Sequence, residues 1–177
     1  AHAPLRQPAP ELPRASPARG RVLVELGRSA DAIEACRSAL DIAATSAERA
    51  RALIALASAM RLNDRVAEGL ALLDEAEPLA ADARLELELS RLHHLRGNLL
   101  FPLGRDVECL QSHERALLHA KAAGSFEAQA AALGGIGDGY YMKGLMRSAN
   151  EQFRACVDLA RANGFGRLEV ANLSMVG

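Results

Sequence analysis

The chain has 177 residues, half of them apolar, with 21 Lys and Arg against 22 Asp and Glu and a formal net charge of -1. That length and apolar share supply a hydrophobic core, and the near-neutral charge excludes a polybasic binder of nucleic acid or anionic lipid. With 36 Ala, four Phe, two Tyr and no Trp, the apolar half favours helices over sheets. Cys36, Cys109 and Cys156 are an odd number at wide intervals, unlike a secreted disulfide framework, so the expected compartment is a reducing cytoplasm. No apolar stretch approaches the about 20 residues that span a bilayer. The start at Ala1 and the apolar pattern that runs into Gly177 are those expected of a piece of a longer protein.

Five of the seven prolines, Pro4, Pro8, Pro10, Pro13 and Pro17, fall in the first 17 residues among Ala and Arg, which predicts an extended linker over residues 1–16. Ser16 then offers a helix cap, and Pro17 suits the first helical position because its missing N–H would have had no partner. From there apolar residues recur at i, i+3, i+4 and i+7. The spacing predicts helices over 17–26, 29–44, 46–62, 65–79, 83–103, 106–122, 126–142, 145–162 and 166–177. Gly27, Asn63-Asp64, Gly104 and Gly144 mark turns within helix pairs; Thr45-x-x-Glu48, Ala81-Asp82, Gly124-Ser125 and Asn163-Gly164 mark turns between them. The last helix carries Leu168, Val170, Leu173 and Val176 without a following partner helix. One apolar flank is therefore expected to lie exposed or against another molecule, which would permit self-association.

The helices repeat. Small residues stand inside the first helix of each pair at Gly20, Ala57, Gly97 and Gly137, with Gly177 at the end, spaced by 37, 40, 40 and 40. A second small residue opens the second helix, Ala32, Gly69, Cys109 and Ala149, and four places on come Cys36, Leu73, His113 and Phe153. Where antiparallel helices cross closely, small residues should face small ones. That sets Gly137 on Ala149 with Leu133 on Phe153, and Gly97 on Cys109 with His93 on His113, leaving His94 on the other face.

This pattern resembles the tetratricopeptide repeat family over roughly residues 17–177, with Leu133 to Arg161 the best match. Arg19 and Arg96 stand where a large apolar residue is usual, Pro102 interrupts the end of a first helix, and the period exceeds the family's usual length of about 34. The resemblance implies an all-α fold, an α-solenoid of antiparallel helix pairs forming a right-handed superhelix. Its about four and a half repeats would lie near 17–44, 46–79, 83–122 and 126–162, with a partial one over 166–177. Periods near 40 also resemble the arrays of large bacterial signalling proteins such as cyclase–ATPase fusions and ATP-dependent transcription activators.

Candidate chemistry is sparse. Gly134-Gly135-Ile136-Gly137-Asp138-Gly139 lacks both the preceding strand of a dinucleotide fingerprint and the Gly-Lys-Ser/Thr of a P-loop, and reads as a thin, closely packed, locally soft helix. The cysteines fall on inner stripes as packing residues, with no Cys-x-x-Cys pair. His93, Cys109 and His113 could converge, but with no fourth ligand evident they read as partly buried imidazoles, so no metal and no cofactor are expected. Glu86, Glu88, Asp74 and Glu75 read as solvated carboxylates, and no nucleophile context exists, so this segment is expected to be no enzyme.

The residues one place after the small-residue stripe share one side of each first helix: Arg51, Ile54, Ser58 and Arg61, then Arg91, His94, Asn98 and Phe101, then Ala131, Gly134, Asp138 and Tyr141. Stacked, they predict a groove with arginines toward one side and Phe101 and Tyr141 toward the other, suited to an acidic or carboxylate-bearing segment with an apolar anchor. The resemblance implies recognition of a peptide or partner helix, and it supports Asn98 in particular, because peptide-binding members use an Asn at the matching place to hold ligand backbone or a terminal carboxylate. The expected function is a non-catalytic interaction or scaffold module in a larger signalling protein, with no nucleic-acid or membrane partner. The alternative is a small-molecule effector sensor coupled to an attached ATPase, cyclase or DNA-binding domain.

Overall fold

A computed structural model describes residues 16–176. The linker expected over 1–16 lies, except for Ser16, outside the described residues, as does Gly177. Nine α-helices occupy the described residues: α1 (Pro17–Glu25), α2 (Ser29–Asp41), α3 (Ser46–Arg61), α4 (Val66–Asp82), α5 (Glu86–Leu100), α6 (Asp106–Ala122), α7 (Phe126–Met142), α8 (Met146–Ala162) and α9 (Gly166–Leu173). A 3-10 turn, Phe101–Leu103, follows α5 where Pro102 cannot continue the helix. Ser16 caps α1 ahead of Pro17, and Thr45 with Glu48 closes a capping box on α3. Seven turns pass through one left-handed residue each, Gly27, Asp64, Arg84, Gly104, Gly124, Gly144 and Gly164. From Asp64 on, these residues recur every 20 positions, so the 40-residue period is two equal halves of one helix and one turn.

Element ends differ from expectation at α2, which stops at Asp41 rather than 44, at α5, which gives way to the 3-10 turn after Leu100 rather than running to 103, at α9, which stops at Leu173 rather than 177, and at the joint between α4 and α5. α4 was expected to stop at residue 79 and α5 to start at 83; instead α4 runs through Pro78 to Asp82 and α5 starts at Glu86. Burial explains the extension: Ala80 packs with Ala50 and Leu89, which outweighs the single backbone bond that Pro78 forfeits. One ion pair recurs along the stack. Arg28, Arg65 and Arg105 stand at the N-caps of α2, α4 and α6, and each binds the acid three places on, Asp31, Glu68 and Glu108. Each acid thereby sits in the first turn, where the helix dipole favours it.

Packing is that of a stack. Each helix packs on the next in sequence, and the first helices also pack on one another in the series α1, α3, α5, α7, α9. The largest core cluster joins Leu53, Ile54 and Ala57 of α3 to Leu73 and Ala76 of α4 and Leu92, Leu95 and Leu99 of α5. Arg96, at a position that is usually apolar, reaches back from α5 to Asp74 and Glu77 of α4 and ties adjacent pairs by charge.

The helix register corrects the expected facing pairs. A Cβ placed on Gly20, Gly97 or Gly137 would come within 2.2 Å of Cys36, 2.3 Å of His113 or 2.6 Å of Phe153. In every case the partner lies sixteen residues on, so Gly137 carries Phe153 and not only the small Ala149. The reason is directional: helical side chains lean toward their own N-terminus, so Phe153 covers the surface above Ala149 and meets the glycine there. His113 likewise lies on Gly97 rather than on His93, and its other edge meets Gly135, where a Cβ would come within 2.2 Å. One imidazole thus fills the junction of α5, α6 and α7. His93 stacks instead on His119 with ring centroids 5.4 Å apart, and His94, expected on the other face, lies 5.1 Å from His113.

This packing reverses the usual sign of a glycine-to-alanine change. Gly97→Ala and Gly135→Ala would each gain about 1 kcal/mol of helix propensity. Each also drives a methyl into the His113 ring, and overpacking of this kind costs about 1–3 kcal/mol, occasionally more. Urea unfolding should therefore show a net loss for both. The loss should be smaller when Gly97→Ala is combined with His113→Ala than the two single losses together. Gly166→Ala, where nothing lies within 4 Å, should leave stability unchanged or raised.

Candidate functional groove

The first helices enclose a cavity of about 990 Å³. α1 contributes Arg21 and Glu25, and α3 contributes Ile54, Ala55, Ser58 and Arg61. From α5 come Leu87, Glu88, Arg91, His94, Leu95 and Asn98, from the start of α7 Ser125, Glu127, Ala128 and Ala131, and from α9 Gly166, Arg167, Leu168, Val170 and Ala171. The lining drifts from the C-terminal half of α3, along most of α5, to the N-terminal half of α7. That drift is what a twist between stacked units produces.

The drift sorts the residues singled out in the sequence. Ser58, Arg61, Arg91, His94 and Asn98 line the cavity together. Arg51 stands just behind, bonded to Glu88. Phe101, Asp138 and Tyr141 do not line it: they sit in or near the C-terminal ends of their helices, past the point where the twist has carried the cavity, and Phe101 and Tyr141 are surface-exposed. One position would line the cavity in every unit only if the units stacked without rotation. The same rule applied to the first unit selects Arg21, the residue after Gly20, which does line the cavity. Glu25, Glu88 and Arg167 carried no sequence signal of their own.

Glu88 was expected in solvent and is instead buried, its side chain 10 % exposed. Arg51 of α3 donates to it at 3.3 Å, and Arg91, one helical turn on, donates to both carboxylate oxygens at 3.1 and 3.2 Å. A single carboxylate therefore fixes two guanidinium groups from consecutive repeats on the groove wall. The other carboxylates read as solvated are also engaged: Asp74 with Arg96, Glu75 with Arg49, and Glu86 with His119. Among the described residues Arg21 and Arg61 form no ion pair, unlike Arg51, Arg91 and Arg167.

His94 connects the groove to the core. The Asn98 side-chain amide donates to His94 Nε2 at 3.1 Å, while His94 Nδ1 is buried without a partner beside the His113 ring. Burial, helped by the Arg61 charge, pushes the His94 pKa down to about 4, and burial with His94 as neighbour pushes His113 to about 3. His93 falls to about 4 by burial and then by the charge of His119. These imidazoles are neutral at neutral pH. Burial also raises the three thiols to about 11, so they remain protonated packing groups. Among the described residues no cluster of three or more His, Cys, Asp or Glu is arranged to hold a metal ion; His93 and His113, with Cys109, do not converge. No helix among them is long and apolar enough to cross a membrane.

A sequence profile described as Tetratrico peptide repeat matches residues 13–132, about two thirds of the chain. The chain belongs to the tetratricopeptide repeat family. The fourth helix pair, α7 and α8, lies mostly beyond the matched stretch yet follows the family geometry, with Gly137 on Phe153 as Gly97 is on His113. Among curated proteins none matches this repeat chain by sequence. Among solved structures, a Rap protein complexed with competence and sporulation factor aligns with a TM-score of 0.80 at 17 % identity, covering 89 % of this chain and 45 % of that one. Two structures of nearly identical TPR-like repeats from a Podosopora anserina putative kinesin light chain align with TM-scores of 0.66 and 0.62, each at 17 % identity and covering 90 % of this chain. They are covered over 81 and 90 % of their own lengths. At these identities the likeness is one of fold. The chain spans less than half the length of the Rap protein.

The buried histidines and Asp138 give stability opposite pH dependences. Each depressed imidazole takes up its proton more readily unfolded than folded, so stability is full above the unfolded value of about 6.5 and falls as pH drops toward 4 and below. Each group contributes up to about tenfold in the unfolding constant per pH unit in that window. His94→Gln should therefore lose less stability than the wild type between pH 7 and pH 4.5 in parallel urea titrations. Burial raises Asp138 from 3.8 to about 6, so its ionisation opposes folding at neutral pH and ceases to do so as pH falls through that range. Asp138→Asn should raise the melting temperature at pH 7.5 and lose that advantage near pH 4.

Proposed function

We propose that the repeat stack is a non-catalytic interaction module whose groove holds an acidic or carboxylate-bearing segment of a partner protein. The observation that carries this reading is the charge of the cavity wall. Four arginines, Arg21, Arg61, Arg91 and Arg167, face three glutamates, with Arg51 just behind, in a chain whose net charge is -1. Among the described residues Arg21 and Arg61 are uncommitted cations, and Arg51 and Arg91 are fixed in place by Glu88 before any ligand arrives, which lowers the entropy cost of binding. Asn98 adds an amide on the same wall for ligand backbone or a terminal carboxylate, and Leu87, Leu168 and Val170 offer apolar contact at the far end. The groove residues of this reading are Arg51, Ser58, Arg61, Arg91, His94 and Asn98; Phe101, Asp138 and Tyr141 would contribute only to a ligand that extends past the cavity.

The fold of the Rap protein captured with competence and sporulation factor supports partner binding as a use of such a stack. The setting we propose is the regulatory segment of a larger bacterial signalling protein, in the reducing cytoplasm that three unpaired buried cysteines suit. One observation favours a second reading: a volume of about 990 Å³ lies at the upper end of small-molecule pockets, which would suit an effector that this segment senses for an attached catalytic or DNA-binding domain.

Screening an array of immobilised peptides, then measuring a captured peptide by calorimetry against the wild type, Arg61→Ala and Asn98→Ala, separates these. The interaction reading expects acidic peptides to bind, tenfold weaker binding in each variant, and further weakening by salt. A loss below about 0.5 kcal/mol in both variants, with the fold intact, would place the site elsewhere. No peptide binding, together with a melting temperature raised by a metabolite, would favour the effector reading.

A further inference from the structure

The first and last described helices, α1 and α9, meet across the groove. Arg167, in the first turn of α9, donates to Glu25, the last residue of α1, at 3.0 Å, although 142 positions separate them. Both side chains are largely exposed, at 82 and 60 %, and both line the cavity, so this pair spans its mouth. The helices that carry it are the least anchored in the fold. α9 buries none of its residues and α1 only Gly20 and Leu23, whereas α3 buries nine of its sixteen. Among the described residues α3 is thus a fixed wall, and α1 and α9 are two lightly held lips joined by one ion pair.

We propose that Arg167 is an anion-recognising residue of the groove and that Glu25 is its internal stand-in, a carboxylate that straps the mouth closed until a ligand carboxylate replaces it. This rests on the acidic-ligand reading above. Its chemistry differs from that of the neighbouring Glu88. Glu88 is buried and shared between two arginines, so it is a permanent part of the wall, while Glu25 is exposed and bonded through a single guanidinium nitrogen. Exposed pairs of this kind favour the bonded state only a few-fold, which makes the strap closed at rest and cheap to open. A ligand already held by Arg61 and Arg91 presents its next carboxylate at high effective concentration and displaces Glu25. Once Glu25 is displaced, the same arginine holds the ligand, and α9 remains drawn over it with Leu168 and Val170 against the ligand's apolar part.

Distance measurements between spin labels test the strap without any ligand. The native cysteines are buried, so labels on Leu26→Cys and Leu173→Cys, both exposed, report on the two lips alone. The unmodified pair should give one narrow short distance. Arg167→Glu and Glu25→Arg should each broaden it toward longer distances, and the charge-swapped double variant should restore it. An unchanged distribution in the single variants, or no restoration in the double one, would overturn the strap. Hexaglutamate then serves as the probe for the stand-in role. Glu25→Gln should bind it a few-fold tighter than the wild type and Arg167→Gln a few-fold weaker, with Glu25→Gln giving no gain once Arg167 is Gln. Equal affinities would overturn the role. If hexaglutamate binds none of them, the acidic-groove reading fails and the stand-in role with it, while the strap still stands or falls on the distances.

Discussion

The architecture depends on how closely two helices of a pair can approach, and that is set at one point in each unit. A residue without a side chain on the first helix receives the side chain that lies sixteen positions later on the second, as Gly20 receives Cys36, Gly97 receives His113 and Gly137 receives Phe153. Ala57 and Leu73, also sixteen apart, share the core in the second unit. The size of the receiving residue fixes the spacing, and the lean of the incoming side chain fixes the register. His113 extends the constraint beyond its own pair, because Gly135 of the next unit is bare for the same ring. Where one imidazole determines the separation of three helices, the inner surface that those helices build is determined too.

That inner surface separates charges by burial. On the outer side, ion pairs such as Arg49 with Glu75 and Arg28 with Asp31 are exposed and contribute little to stability. Along the groove, Glu88 is withdrawn from water and committed to two arginines, and His94 is held neutral beside Arg61. In a chain of net charge -1 the cavity lining carries four arginines against three glutamates, one of which, Glu88, is pinned between two arginines. His94 places that groove in direct contact with the histidine that spaces the helices.

Much of this was legible in the sequence because the repeat signal is steric and local. The small residues at 20, 57, 97 and 137 and the turn glycines gave the helices and their pairing to within a few residues, since each signal acts within one turn of its own position. The shifted joint after Pro78 was decided by burial of Ala80 against a neighbouring pair, which no local signal carries. The facing register was off by one helical turn for a physical reason, the lean of side chains, that spacing does not encode. Of the residues singled out in the sequence, Ser58, Arg61, Arg91, His94 and Asn98 line the cavity and Phe101, Asp138 and Tyr141 do not, because twist accumulates along the stack. Glu88 looked like any surface acid, and only its position between Arg51 and Arg91 in space sets it apart.

The most direct measurement of the central packing claim is an NMR experiment on the intact chain with histidine and glycine selectively labelled. Strong nuclear Overhauser contacts from the ring protons of His113 to the α-protons of both Gly97 and Gly135 are the predicted result. Contacts from that ring to His93 in place of the two glycines would contradict it, and with it the register on which the groove is built.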